Sequence, residues 1–254
     1  MTAQLWFFII ISLVIFNYLF SNLLDYINHR NWKDEIPNEL KDFYDKEKYK
    51  KAKNYALSKN KISLFSSSLS FLLVISLIVF NGYGIIDQFV SINLSKSFES
   101  LQISSNFIQS GVFFLILFIL NSIISIPFSY YNTFVIEEKF GFNKTTKLTF
   151  FIDIIKSTLL SFFIGGILLF LALYLYENLN DGFWLWLWIG LSLLMILINM
   201  FYADLIVPIF NKLTPLDDGE LRNKIEKYSK DVGYLLKNIY VIDGSKRSTK
   251  ANAF

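Results

Sequence analysis

Five apolar runs, each about twenty residues or longer and almost free of charge, constrain this chain more than any other feature. They cover roughly residues 4–24, 62–86, 107–131, 154–176 and 183–210. A helix rises 1.5 Å per residue, so about 20 apolar residues cross the ~30 Å hydrocarbon core of a bilayer. An open chain crosses lipid only as helix, because lipid offers no partner to an unpaired backbone group. The runs therefore predict an all-α integral membrane protein with five transmembrane helices. Composition agrees: 54% of the 254 residues are hydrophobic and 18% charged, against about 25% charged in a soluble domain. An ordinary soluble enzyme, a disordered chain and a repeat solenoid are excluded. The absence of Cys removes a disulfide scaffold, a Cys zinc site and a Cys nucleophile, and the single His removes a His-pair metal site within the chain. A net charge of +3 is too mild for a nucleic-acid partner.

The basic residues assign the sides. Ten Lys and Arg lie in 25–61, three in 132–153 and nine after residue 210, whereas 87–106 holds only Lys96 and 177–182 none. Positive charge collects on the cytoplasmic side, which predicts an outside N-terminus and a cytoplasmic C-terminus, consistent with an odd number of spans. Nothing basic precedes the first run and no small-residue cleavage pattern follows it, so it reads as an uncleaved anchor rather than a signal peptide. Trp184, Trp186 and Trp188 open the fifth run as an outer aromatic belt.

The division expected is a membrane domain over 1–210 and a cytoplasmic domain beginning at 211. In the loop 25–61, Leu40, Phe43, Tyr44, Ala52 and Tyr55 recur at partly helical spacing after Pro37. Two readings stand there, surface helices under the membrane or a solvated charged loop. After the fifth run, Asp217 and Glu220 have capping-box spacing. Leu221, Ile225, Tyr228 and Val232 share one helix face, closed by Gly233. Residues 239–242 are strand-prone and Asp243-Gly244 is a turn signal. The 44 residues after Phe210 are marginal for a core of their own. Residues 251–254 read as the start of another strand, so the domain is expected to continue.

Three stretches resemble the type I CAAX prenyl proteases, integral-membrane zinc metalloproteases. They are residues 127–146 (PFSYYNTFVIEEKFGFNKTT), 208–221 (PIFNKLTPLDDGEL) and 239–254 (IYVIDGSKRSTKANAF). The resemblance reaches from about residue 40 to the end. It implies five transmembrane helices with cytoplasmic helical loops and the beginning of a C-terminal α+β metalloprotease domain. In that family seven helices ring a water-filled chamber in the membrane, and zinc is held by the two His of H-E-x-x-H and a later Glu. The Glu of H-E-x-x-H acts as general base on a zinc-bound water. This chain contains no H-E-x-x-H, and its only His is His29. The resemblance therefore implies a metalloendopeptidase of membrane-associated, peptide or prenylated protein substrates, with zinc as the family's cofactor, yet no catalytic residue and no metal ligand within these residues. Localisation would be the plasma membrane in a bacterium or the endoplasmic reticulum in a eukaryote. A catalytically inactive membrane scaffold is the alternative, and a transporter the weaker one, since no inverted repeat is present.

For site residues, Asn252 matches the Asn of the family's Asn-Ala-Tyr signature, with Ala253 beside it and Phe254 in place of Tyr. The resemblance makes Asn252 and Ala253 substrate contacts on an edge strand, where a peptide can add through main-chain hydrogen bonds. The bland reading is a turn Asn before a structural strand. Ser245, Lys246 and Arg247 read as cytoplasmic charge near headgroups. Glu137 and Glu138 are expected to pair with Lys139, Lys144 or Lys147, and Asn143 to cap the next helix. Asp204 is an ionisable group inside an apolar run, hence functional or already facing water. Asn81, Asn121 and Asn199 line a wet cavity or bond between helices.

Overall fold

A computed structural model describes residues 2–38, 41–42, 45–94, 105–179 and 182–250. Five helices among them are long and apolar enough to cross a membrane: Ala3–Arg30, Lys46–Val79, Phe107–Glu137, Lys147–Asn178 and Phe183–Phe210. The five expected spans are all present. The chain divides into two compact units, Met1–Gly141 and Phe142–Phe254.

The first unit holds α1 (Ala3–Arg30), α2 (Lys46–Val79), α3 (Gly82–Leu94) and α4 (Ser105–Tyr131). Asp45 starts α2 by accepting a hydrogen bond from the Lys48 amide at 2.7 Å. That helix then runs unbroken from the charged loop into the apolar run. Its 34 residues make it about 51 Å long, more than a bilayer core requires. The expectation of separate surface helices is thus corrected for Ala52 and Tyr55, which lie in α2. Leu40, Phe43 and Tyr44 lie outside the described residues. The second span also ends earlier than the apolar run, which extended to residue 86. Asn81 adopts a positive φ of 54°, which the helix cannot continue through, and α3 starts afresh at Gly82.

Packing in this unit is aromatic. Tyr18 stacks on Phe71 at 4.2 Å and its hydroxyl meets Ser68 Oγ at 2.8 Å, joining α1 to α2. Phe65 and Phe128 join α2 to α4 at 5.9 Å. Gln109 donates to Asp87 at 3.0 Å between α4 and α3. The most buried apolar side chains are Val90, Ile136, Phe140 and Tyr49, whereas mid-span residues such as Phe8, Phe16 and Leu72 are exposed, as a lipid-facing surface should be.

Past Pro127 the α4 helix widens into a π-helical turn, Asn132–Glu137. π-turns of this kind occur as short insertions in helices, frequently at functional sites.

The second unit holds α5 (Lys147–Asn178), α6 (Phe183–Phe201), a π-turn over Tyr202–Ile206, α7 (Val207–Phe210), β1 (Leu213–Pro215), α8 (Glu220–Asp231) and β2 (Tyr240–Ile242). The Val207 amide bonds Tyr202 O, five residues back, just before Pro208. Strands β1 and β2 pair antiparallel with Leu213 opposite Ile242 and Pro215 opposite Tyr240. The helix, strand and turn expected after the fifth span are present, and Gly233 ends α8 at φ 72°. The capping box is not: Gly219 precedes α8 without a side-chain cap. Asp217 makes no cap, and its neighbour Asp218 instead reaches Arg222 at 3.5 Å. The Leu221, Tyr228 and Val232 face of α8 is exposed.

Candidate functional site

The three stretches that carry the family resemblance meet, within the second unit, around one residue. The first contributes Asn143, whose Oδ1 accepts the Thr145 amide at 2.8 Å and so bends the chain into an Asx turn. Thr146 then caps α5, accepting the Thr149 amide at 3.1 Å. Thr146, not Asn143, is the cap. Two turns on, α5 presents Asp153. The second stretch contributes the end of α7, Phe210, and the residue after it, Asn211. The third leaves β2, bonds Lys212 O through the Asp243 amide at 3.1 Å, and turns at Gly244, whose carbonyl accepts the amides of Arg247 and Ser248.

That turn delivers Arg247. Its Nε and Nη2 donate to the two oxygens of Asp153 at 2.6 and 2.8 Å, a bidentate fork. Its Nη1 donates to Asn211 Oδ1 and its Nη2 also to Phe210 O, both at 2.8 Å. Its own carbonyl accepts the Lys144 amide at 3.0 Å and the Thr145 hydroxyl at 3.1 Å. Beside it Asn143 and Ser248 form an antiparallel bridge, and the Thr249 amide donates to Phe142 O at 3.0 Å. Side chain and main chain of one residue thus tie three distant segments together.

The Arg247 and Asp153 side chains are 27% and 23% exposed, so the pair is only partly screened. The hydrogen bond to Asp153 raises the Arg247 guanidinium above its ordinary value, against a smaller opposing effect of burial. A guanidinium engaged by four acceptors is held as a cation and has no capacity for acid–base work. The reading of Arg247 as headgroup charge is therefore corrected: the pairing partner lies 94 residues away in sequence. Its neighbours behave differently. Ser245 donates to Asp243 at 2.7 Å and Lys246 approaches the same carboxylate at 3.3 Å. These contacts lower the Asp243 carboxyl below its ordinary value, the Ser245 hydrogen bond first. Both side chains thus engage Asp243.

In the first unit, Glu137 closes the π-turn by accepting the Tyr55 hydroxyl at 2.6 Å and Lys59 at 3.2 Å, with Lys59 also bonding Asn132 Oδ1 at 2.6 Å. Glu137 was expected to pair with Lys139, Lys144 or Lys147; Lys59 on α2 takes it instead, because α2 packs along the π-turn. Asp204 lies in the second π-turn and is exposed. Asn199 bonds Met195 O within its own helix at 2.8 Å, and among the described residues it makes no bond to another helix. Trp184, Trp186 and Trp188 are all exposed, as a belt requires. Asn252 and Ala253 lie outside the described residues. Lys250, the last described residue, sits 4.6 Å over the Phe142 ring.

The resemblance implies zinc, whose ligands are His, Cys or carboxylate. No three such residues gather at one point among the described residues. His29 lines an open cleft of about 980 Å³ with Asp25 and Glu35, but they do not converge on one point. The described residues do not fit the ion.

Comparison with known proteins agrees with the fold. Residues 25–212 match the family described as CAAX prenyl protease N-terminal, five membrane helices. The chain is 34% identical to CAAX prenyl protease 1 of Saccharomyces cerevisiae over 254 aligned residues, covering 98% of this chain and 55% of that protein. It is 32% identical to the CAAX prenyl protease 1 homolog of Mus musculus, covering 93% of this chain and 50% of that protein. The crystal structure of Ste24p from S. mikatae superposes with a TM-score of 0.85 at 34% identity, covering 98% of this chain and 58% of that one. The chain spans about half the length of the curated relatives it matches. A family match over residues 25–212, relatives of one kind and a shared fold lead to one statement: the chain belongs to the CAAX prenyl protease family, to its N-terminal part of five membrane helices.

Proposed function

We propose that this chain is the membrane part of a zinc-dependent metalloendopeptidase that cleaves peptide bonds of membrane-associated, prenylated proteins in a chamber within the membrane. The observation that carries the reading is the Arg247 junction. Three stretches with the family's pattern converge there through the Asp153 fork and the main-chain pairing of 142–144 with 247–249. Such a junction would give an edge strand after Lys250, as the resemblance implies, a fixed origin. Asn252 and Ala253 on that strand would take the substrate's backbone as an added strand. Zinc, when bound, would supply a water of lowered pKa and polarise the scissile carbonyl, on ligands from outside these 254 residues.

The proposed orientation puts the N-terminus outside and the C-terminus in the cytoplasm, on the lysine distribution, with a membrane domain to residue 210 and the cytoplasmic domain after it. The test has two parts. The gene is sequenced past codon 254, and its whole product is purified and offered a farnesylated peptide. Cleavage abolished by a zinc chelator and restored by zinc is expected. A product without H-E-x-x-H, or cleavage indifferent to chelation, refutes the metalloprotease reading. The first of these outcomes makes a membrane scaffold the better description.

A further inference from the structure

Cytoplasmic charge in this chain is mostly engaged or spread over loops, but one basic groove sits at the membrane boundary. It has a volume of about 370 Å³ and lies between the start of the apolar part of α2 and the π-turn after α4. Its lining is Ser58, Lys61, Ile62, Tyr131, Val135, Ile136 and Lys139. The neighbouring Lys59 is taken by Glu137. Lys61 and Lys139 have no carboxylate partner among the described residues, and no carboxylate lines the groove. Lys61, Lys139 and Tyr131 thus line this space together with Ser58 and the aliphatic Ile62, Val135 and Ile136, and the Lys139 ammonium lies 5.7 Å from the Phe140 ring centre. One turn deeper along both helices, Phe65 and Phe128 meet at 5.9 Å, Phe65 with its face exposed.

The depth, the charge and the walls select the occupant. Lys61 immediately precedes the apolar run of α2, and Tyr131 ends α4, so the groove lies at headgroup level. Cations without a counter-ion there favour a phosphate, and basic pockets between membrane helices on the cytoplasmic side take anionic headgroups. A zwitterionic headgroup would bring an ammonium that finds no carboxylate. The apolar rim and the Phe65–Phe128 pair below it continue along the path of an acyl chain, which a free phosphate lacks. We infer that Lys61, Lys139 and Tyr131 form a binding site for the phosphate headgroup of an anionic membrane lipid.

The site is tested on the 254-residue chain in detergent, by native mass spectrometry with dioctanoyl phosphatidic acid as the probe. A lysine near a lipid phosphate contributes about five-fold in affinity, so the K61Q/K139Q pair should lose roughly 30-fold. K61R/K139R, and the distant pair K227Q/K230Q on α8, should bind as the unmodified chain does. The single variants K61Q and K139Q, each about five-fold weaker, serve if the double variant loses its helical circular dichroism. Equal binding by K61Q/K139Q, or equal binding of dioctanoyl phosphatidylcholine, overturns the site. Displacement of the lipid by an equal concentration of inorganic phosphate overturns the lipid as its source.

Discussion

Replacing Arg247 by Met keeps the aliphatic stem and removes the fork. Four donor contacts disappear at once: two to Asp153, one to Asn211 and one to Phe210 O. The Asp153 carboxylate is left 23% exposed without its cation. Breaking a fully buried pair costs 3–5 kcal/mol; this one is about a quarter exposed, which lowers the cost to about 2–3 kcal/mol. The loss is local, so it is read at the main-chain bonds that Arg247 organises, the Lys144 amide on Arg247 O and the Thr249 amide on Phe142 O. Hydrogen exchange at these two amides should accelerate about 30- to 150-fold, at 1.4 kcal/mol per factor of ten. Exchange in α6 should not change. A second reading uses the absence of native Cys. Asn143 and Ser248 face each other between two bonded pairs, a geometry with Cα atoms about 4.5 Å apart and within disulfide range. N143C/S248C should therefore cross-link readily in the native background and slowly with R247M. The swapped pair D153R/R247D should recover part of both signals. Amide exchange within three-fold of the native rate in R247M would refute the claim that this side chain holds the three segments together.

Other outcomes follow from single features. Gly141 has φ 77°, so Gly141→Ala should cost about 1 kcal/mol in urea titration, with Gly141→Asn costing less. A β-carbon on Gly190 would lie 2.8 Å from Leu171 Cδ2 between α6 and α5; Gly190→Ala should be tolerated by a small shift of that flexible end, whereas Gly190→Ile should lower the thermal midpoint markedly. Tyr55→Phe removes one charge-assisted hydrogen bond to Glu137 and should destabilise the first unit by about 1–2 kcal/mol, measured by thermal unfolding in detergent. Asp243 and Asp45 are held below their ordinary carboxylate value, by Ser245 and by the Lys48 amide respectively. Carboxyls lowered on folding stabilise above their unfolded value and lose that contribution as pH falls through the folded one. Amides of the 243–248 turn and the first turn of α2 should therefore lose protection, relative to their intrinsic exchange rates, below about pH 4. Arg247, raised rather than lowered, stays charged throughout that range.

Much of the fold was legible in the residues. The five runs became five helices, the strand at 240–242 and the turn after it formed, and Gly233 ended its helix. The misses share a cause. The α2 helix begins at Asp45 and breaks at Asn81, sites set by one cap and one backbone dihedral, which a hydropathy average over twenty residues does not resolve. The capping box at Asp217 and Glu220 met the spacing rule, yet Gly219, between them, takes the cap position. At the candidate site, the sequence marked all three stretches through resemblance but misassigned Arg247. The available signal was a lone Asp153 near the start of a long apolar helix, which needs a cation. The partner's identity was not readable locally.

Hydrophobicity is a sum over contiguous residues, so the sequence alone determined that this chain crosses lipid five times and where its positive charge collects. The transfer free energy of each run depends on no distant residue. Ion pairs and main-chain bridges between far segments obey no such rule. Glu137 finds Lys59 78 positions earlier, and Arg247 finds Asp153 94 positions earlier; each had other opposite charges nearer in the chain. Which one wins depends on distances of a few ångströms set by helix packing, by a π-turn and by the angle of one strand leaving a sheet. Only the tertiary structure decides those, and it is what turned three stretches of resemblance into one junction.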